Sequence, residues 1–439
     1  MTVLSPIQAV ATIAPALRRF PTHPAPEAAA DVRRPPPPRG PGLSNHLRER
    51  IARDFQARWS EEWGGKFVTH GLNPGSNAVR LDGNDYLSVT GHPQIVQAQI
   101  DSLRRNQEVV VQSSVFQLSG SPIHHFEIAL ADWVGADSAL LCQSGYTANL
   151  GLLQVVADDQ TPVYIDSLAH MSLWEGVRAS GACAHAFRHN DPGHLRRMIE
   201  RHGPGLVVVD SVYSTTGALC PLREVVDIAQ AHGCMILVDE SHSLGTHGPG
   251  GRGLCAELGL TDRVHFITAS LAKAFAGRAG FFTMPDELRA YLMCHSFPSI
   301  FSSSLLPHEV AGLSATLDVL RTSEDARRQL RHHTARVRTS LAQLGYPIAQ
   351  GSEQIIALEA GSEVNTLALR DALEARGVFG AVFVAPATAR NRAMVRLTLN
   401  ASLTDAEISH LEQVAADIAP QVKPWDWPIA RRQRAALKA

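Results

Sequence analysis

Residues 267–275 read ITASLAKAF, so Lys273 stands in a run that is otherwise apolar or small, with no acidic partner among its neighbours. A lone lysine in such a place ordinarily snorkels its ammonium to water. Buried instead, it is pushed toward the neutral amine by desolvation, and a neutral amine attacks carbonyls. The residues in its company favour the second course. Upstream, VDESH sets Asp239 and His242 three residues apart, and CQSGYTAN (142–149) is a turn of small residues opening a helix. A ring carbonyl captured by Lys273 would need a carboxylate against its ring nitrogen, which Asp239 supplies. A phosphate on the same molecule would need N–H and hydroxyl donors at a helix N-terminus, which Ser144, Gly145 and Tyr146 supply. Pyridoxal phosphate (PLP) combines these features, and the three motifs together point to it as the cofactor.

The elements that must position these residues can be read from the punctuation of the chain. With 439 residues, 45% of them apolar, only 19% charged and 33 glycines, the protein can bury a large core and hold a large domain plus a smaller one. A formal net charge of -2 exerts no sequence-independent pull toward nucleic acid or anionic lipid. The six cysteines form no C-x-x-C pair, which predicts buried thiols in a reducing compartment and neither a zinc site nor a disulfide framework. No window of 18 apolar residues occurs, and the opening stretch lacks an early basic region ahead of its apolar part. A cytoplasmic protein with no membrane span is the expectation.

Residues 1–42 end in a proline-rich stretch and read as a disordered arm, 43–80 as a helical segment, 81–325 as the large domain, 326–425 as a smaller C-terminal α/β domain and 426–439 as a basic tail. Within the large domain, SALLCQ (138–143), PVYID (162–166), GLVVVDSVY (205–213), MILVDES (235–241) and VHFITAS (264–270) read as strands. Helical patterns lie between them, as in REVVDIAQAHG, where Gly233 is a plausible stop. Near-continuous apolar strands separated by helices predict an α/β fold with a mostly parallel sheet covered on both faces. Ligands of such sheets bind beyond the carboxyl ends of the strands, where Asp239, Ser214 and Ser270 collect, with Lys273 three residues further on.

The blocks LDGNDYLSVTGHP, CQSGYTANLGL, YIDSLAHMSL, VVVDSVYSTTGALCPLREVVDIAQAHG, ILVDESHSLGTHGPGGRG, ITASLAKAFAGRAG, SIFSSSLLP and MVRLTLNAS resemble successive blocks of the α-oxoamine synthases. The resemblance runs from about Leu81 to Asn400. It implies a fold-type I PLP-dependent transferase (aspartate aminotransferase-like) that condenses an amino acid with an acyl-CoA. Within that family, LCQSG, TPVYIDSLAHMSLWEG and ITASLAKAFAGRAG are most similar to the branch that makes α-hydroxyketone quorum-sensing autoinducers.

Carried over position by position, the resemblance makes Lys273 the lysine that bonds the cofactor and takes the Cα proton. It places His170 against the cofactor ring, Asp239 at the ring nitrogen, His242 and Ser214 near the ring oxygen, and Ser270 at the phosphate. Ser302 and Ser303 resemble phosphate contacts from a neighbouring subunit, which implies a homodimer with shared sites. Asn84 and Arg396 resemble the pair that holds a substrate carboxylate, a task suited to a planar guanidinium. The implied substrates are an acyl-CoA and an amino donor, either S-adenosylmethionine or a small amino acid, and no metal is implied. Three departures stand out: VVVQSSVFQLSGSP (109–122) is bulkier and more apolar than the family's glycine-rich segment, ASLAK lacks the usual glycine before the lysine, and LNASLT lacks a histidine after Arg396. The first favours a medium or long acyl tail, each buried methylene contributing roughly 0.8 kcal/mol. An ordinary α-oxoamine synthase, an aminotransferase and a non-catalytic ligand-binding scaffold of the same fold are the alternatives.

Overall fold

The computed structural model describes residues 41–105 and 111–436. The expected arm therefore falls, but for its last residues, outside the described residues, as does the end of the basic tail. The chain divides into two compact units, Met1–Ala57 and Arg58–Ala439. In the described part of the first, Asn45–Ile51 is helical, with the Ser44 hydroxyl accepting the Leu47 N–H, and it runs on as a wide π-type turn, Ala52–Gln56.

The second unit contains the strands β1 (Val79–Leu81), β2 (Ser138–Cys142), β3 (Pro162–Asp166), β4 (Cys183–Phe187), β5 (Leu206–Asp210), β6 (Met235–Asp239), β7 (Phe266–Ser270), β8 (Gly280–Met284), β9 (Ile355–Gly361), β10 (Val378–Phe383) and β11 (Ala393–Thr398). Seven of them form one sheet in the order β2-β8-β7-β6-β5-β3-β4, parallel except for β8, which runs against both neighbours. A second sheet, β1-β10-β11-β9, joins the early strand β1 to strands near the end of the chain. The segment read as purely helical before residue 81 thus ends in a strand.

Successive residues of the central strands enter two different cores, which is why these strands read as unbroken apolar runs. Leu206, Val208 and Leu237 pack with Leu152, Leu153, Leu173 and Val177 from the helices Gly145–Val156 and Met171–Ser180. Val207, Val209, Ile236 and Val238 pack on the other face with Leu195, Ile199, Val225, Val226 and Ile228 from Pro192–His202 and Leu222–Ala231. Fully burying one such side chain contributes about 1.5–3 kcal/mol, so a charge in β5 or β6 would break the layer. The five strands read from sequence are all present to within a few residues. Two strands of the seven-stranded sheet were missed: β4, a largely exposed edge strand without a β-branched run, and β8, which follows the lysine loop. The thiols differ from expectation as well: Cys142, Cys220, Cys234 and Cys255 are buried, but Cys183 opens the edge strand β4 and Cys294 lies on an exposed helix face. Among the described residues no helix is long and apolar enough to cross a membrane.

Candidate active site

Lys273 lies on the loop that joins β7 to the antiparallel β8, not on a helix. The loop is closed by Leu271 N–H to Ala279 O, Gly277 N–H to Leu271 O and Ala276 N–H to Lys273 O, which fixes where the lysine leaves the backbone. A cavity of about 200 Å³ lies at the carboxyl ends of the strands, lined by Ser144, Gly145, Tyr146, His170, Ser214, Asp239, His242, Ser270 and Lys273, together with Asn149, Ser172, Asp210, Val212 and Ser241. Nine residues singled out from the sequence thus meet in one place. Burial lowers the Lys273 pKa to about 8; Arg396 adds to the effect and Asp239 opposes it.

One end of the cavity presents the open start of a helix. Ser144 caps the helix Gly145–Val156: its hydroxyl accepts the Thr147 N–H at 3.1 Å and the Thr147 hydroxyl accepts the Ser144 N–H at 3.0 Å. The Gly145 and Tyr146 amides follow at the open end of the helix, where no carbonyl one turn earlier can engage them. A Cβ on Gly145 would come within 2.5 Å of the Ser270 Cβ, and one on Gly280 within 2.3 Å of the Gly145 nitrogen. Small residues here let the helix start sit directly on the ends of β7 and β8, next to Ser270. The Ser270 N–H in turn donates to Ser241 Oγ at 2.8 Å.

The other end carries charge and ring groups. Asp239 Oδ1 accepts the Ser241 N–H at 2.9 Å and Oδ2 accepts from Asn149 Nδ2 at 2.7 Å. The same Asn149 nitrogen donates to Ser172 Oγ at 2.9 Å, which lies 2.7 Å from His170 Nδ1. This chain of polar groups links the carboxylate to the imidazole. Because Nδ1 also accepts the Ser172 N–H, the ring proton of neutral His170 belongs on Nε2. His170 is open at the cavity mouth, yet the protein packed behind it disfavours the charged ring; its pKa is lowered, with Asp239 opposing and Lys273 reinforcing. His242 is buried, and burial, Lys273 and Arg396 hold it well below the usual imidazole range. Its Nδ1 is bonded to the hydroxyl of Tyr86, which burial keeps protonated.

Arg396 and Asn84 meet: Nη2 donates to Asn84 Oδ1 at 3.0 Å and Nη1 to Ser214 O at 2.8 Å, while Nε has no partner among the described residues. Among the described residues no carboxylate pairs with this buried guanidinium, which stacks 4.7 Å from the Phe383 ring centroid. Neither Arg396 nor Asn84 lines the cavity itself. Ser302 and Ser303 also lie outside it: the Ser302 hydroxyl donates to Pro298 O, and Ser303 O accepts from Gln143 Nε2 at 2.6 Å. Residues 111–122 of the apolar segment expected to line the pocket do not line this cavity within one chain. Val111, Phe116 and Leu118 are exposed, and Ser114 and Gln117 hydrogen-bond near the edge strand β2 instead. Sequence reasoning missed Tyr86, Asn149, Asp210, Ser172 and Ser241. All five stood inside blocks already quoted, but polar groups that act through other side chains leave no spacing signature.

A family model described as aminotransferase class I and II matches residues 76–414. The chain belongs to that family. The CAI-1 autoinducer synthase of Vibrio campbellii is 49% identical over 346 residues, covering 79% of this chain and 88% of that protein. The 8-amino-7-oxononanoate synthase 1 of Bacillus velezensis is 31% identical over 355 residues, 80% of this chain and 90% of that protein. Among solved structures, a serine palmitoyltransferase from S. paucimobilis with a bound PLP–myriocin aldimine superimposes with a TM-score of 0.80 at 25% identity, covering 86% of this chain and 99% of that one. The resemblance to the α-oxoamine synthases and the fold-type I architecture are both borne out.

Proposed function

We propose that this chain is a PLP-dependent acyltransferase that condenses an acyl-CoA with an amino donor to give an aminoketone, the precursor of an α-hydroxyketone autoinducer. The observation that carries the reading is the convergence, in one cavity, of a lysine whose pKa is lowered to about 8, a helix start open to an anion, and a buried carboxylate. Those groups fit PLP: Lys273 would hold it covalently, Ser144, Gly145, Tyr146 and Ser270 would hold its phosphate, and Asp239 its ring nitrogen. Bound there, PLP supplies an electron sink for negative charge at the donor's Cα.

The residues around it do the rest. Lys273, half-buried and with its pKa lowered to about 8, takes and returns the Cα proton through Nζ. His170 is held neutral and oriented by Ser172, so it presents a flat, uncharged ring. Arg396, pre-set by Asn84 and Ser214 O, offers a donor to the donor's carboxylate. A cavity of about 200 Å³ is too small for a long acyl chain as well as a cofactor, so the tail leaves it. The exposed apolar side chains of Val111, Phe116 and Leu118 suit such a tail, or the neighbouring copy that would also bring Ser302 and Ser303.

The higher identity to an autoinducer synthase than to an 8-amino-7-oxononanoate synthase favours the signal-producing reading over an ordinary α-oxoamine synthase. Incubating purified protein with acyl-CoAs of graded length and either S-adenosylmethionine or 2-aminobutyrate, with products read by mass, tests it. An aminoketone from a medium or long acyl-CoA is expected. Turnover of a keto acid without any thioester would contradict it.

A further inference from the structure

Three neighbouring parallel strands end in an aspartate: Asp166 on β3, Asp210 on β5 and Asp239 on β6, with β5 in the middle. Asp210 and Asp239 are register partners, and all three side chains are buried. Adjacent strands lie about 4.8 Å apart, too close for three buried carboxylates to ionise together. The hydrogen bonds decide which one gives way. Asp166 accepts the Leu168 N–H at 2.8 Å and the Asn190 N–H at 2.9 Å, with His189 Nδ1 at 3.1 Å. Asp239 accepts from Asn149 and from Ser241. Asp210 has a single donor, the His170 N–H, 3.0 Å from Oδ2, and its Oδ1 has no partner among the described residues.

Among the described residues no cationic side chain hydrogen-bonds or ion-pairs with Asp210, and its neighbours Tyr213 and Cys220 are both held protonated by burial. Burial first, then Asp239 and Asp166, push the Asp210 carboxyl well above the usual range. We propose that Asp210 is a positioning residue working as a neutral carboxylic acid: Oδ2 pins the His170 backbone at the head of its helix, and the proton on Oδ1 removes a second carboxylate charge from beside Asp239. The positioning half of this rests on the proposed cofactor site; the protonation half does not.

Infrared difference spectra of wild type against Asp210→Asn, recorded at neutral pH with and without PLP, read the proton directly. A carboxylic-acid C=O band present in wild type and missing from the variant is expected. Its absence overturns the proposal, whatever becomes of the cofactor assignment. PLP affinity, titrated by tryptophan fluorescence, reads the positioning. Asp210→Asn keeps an acceptor for the His170 N–H and a donor in place of the acid O–H, so it stays within about threefold of wild type, whereas Asp210→Ala binds roughly tenfold more weakly. Equal losses in the two variants would show that a charge is required and would sink the idea. An acid band in a wild-type protein that takes up no PLP would instead retain the proton assignment and remove the cofactor reading.

Discussion

Lys273 is poised by its surroundings. Burial in a loop between two strands and the positive field of Arg396 outweigh the attraction of Asp239, so half the population is neutral near pH 8 instead of near 10.5. The sign is direct: the amine that attacks is the deprotonated form, so the rate at which apoprotein captures PLP should rise with pH and level off above about 8. A stopped-flow series followed by visible absorbance checks this; a rate still climbing tenfold per pH unit between 9 and 10 would mean an unperturbed lysine. The lysine and Asp239 were legible in the sequence because each stands out from its neighbours. Asn149 was not, although it bridges Asp239 to Ser172 and His170, because an asparagine on a helix has many ordinary uses.

At the scale of elements, the site depends on how closely the helix Gly145–Val156 approaches β7 and β8. Gly145→Ala puts a Cβ against Ser270 Cβ and Cα, at 2.5 and 2.8 Å, and must push the helix start away from the proposed phosphate position. Overpacking of this kind costs typically 1–3 kcal/mol, so PLP affinity should fall roughly ten- to hundredfold while far-UV circular dichroism is unchanged. Unchanged affinity would show that the turn does not hold the anion. The central strands β3, β5, β6 and β7 were legible because burial on both faces leaves unbroken apolar runs. The edge strand β4, exposed along most of its length, and β8, which follows a loop rich in small residues, carried no comparable pattern. The exposed course of Val111, Phe116 and Leu118 was likewise unreadable, since apolar letters do not say which surface will cover them.

Across the whole molecule, the second sheet is tied to the first beside the site. His247, in the loop after β6, meets Glu353, just before β9, at 3.0 Å, and Gln354 donates to His242 O at 3.0 Å. Burial opposes the charged form of His247, but Glu353 outweighs it and the pKa is raised; the Glu353 carboxyl is lowered, burial there being outweighed by His247. The stability gained from His247 is therefore complete below its unfolded value near 6.5 and is lost as pH rises through the raised folded value. His247→Gln should melt a degree or two below wild type at pH 6, with the gap narrowing by pH 9; a constant gap would deny the ion pair. If two copies share their sites, mixing Lys273→Ala with a Ser302→Ala/Ser303→Ala variant should restore about a quarter of wild-type activity, since half the dimers are mixed and each has one intact site. No recovery would make each site self-contained. The most direct test of the account is to load the full chain with PLP, reduce it with borohydride and map the peptides by mass. A pyridoxyl group on Lys273, absent from Lys273→Ala, is the predicted result, and modification elsewhere or none at all would contradict it.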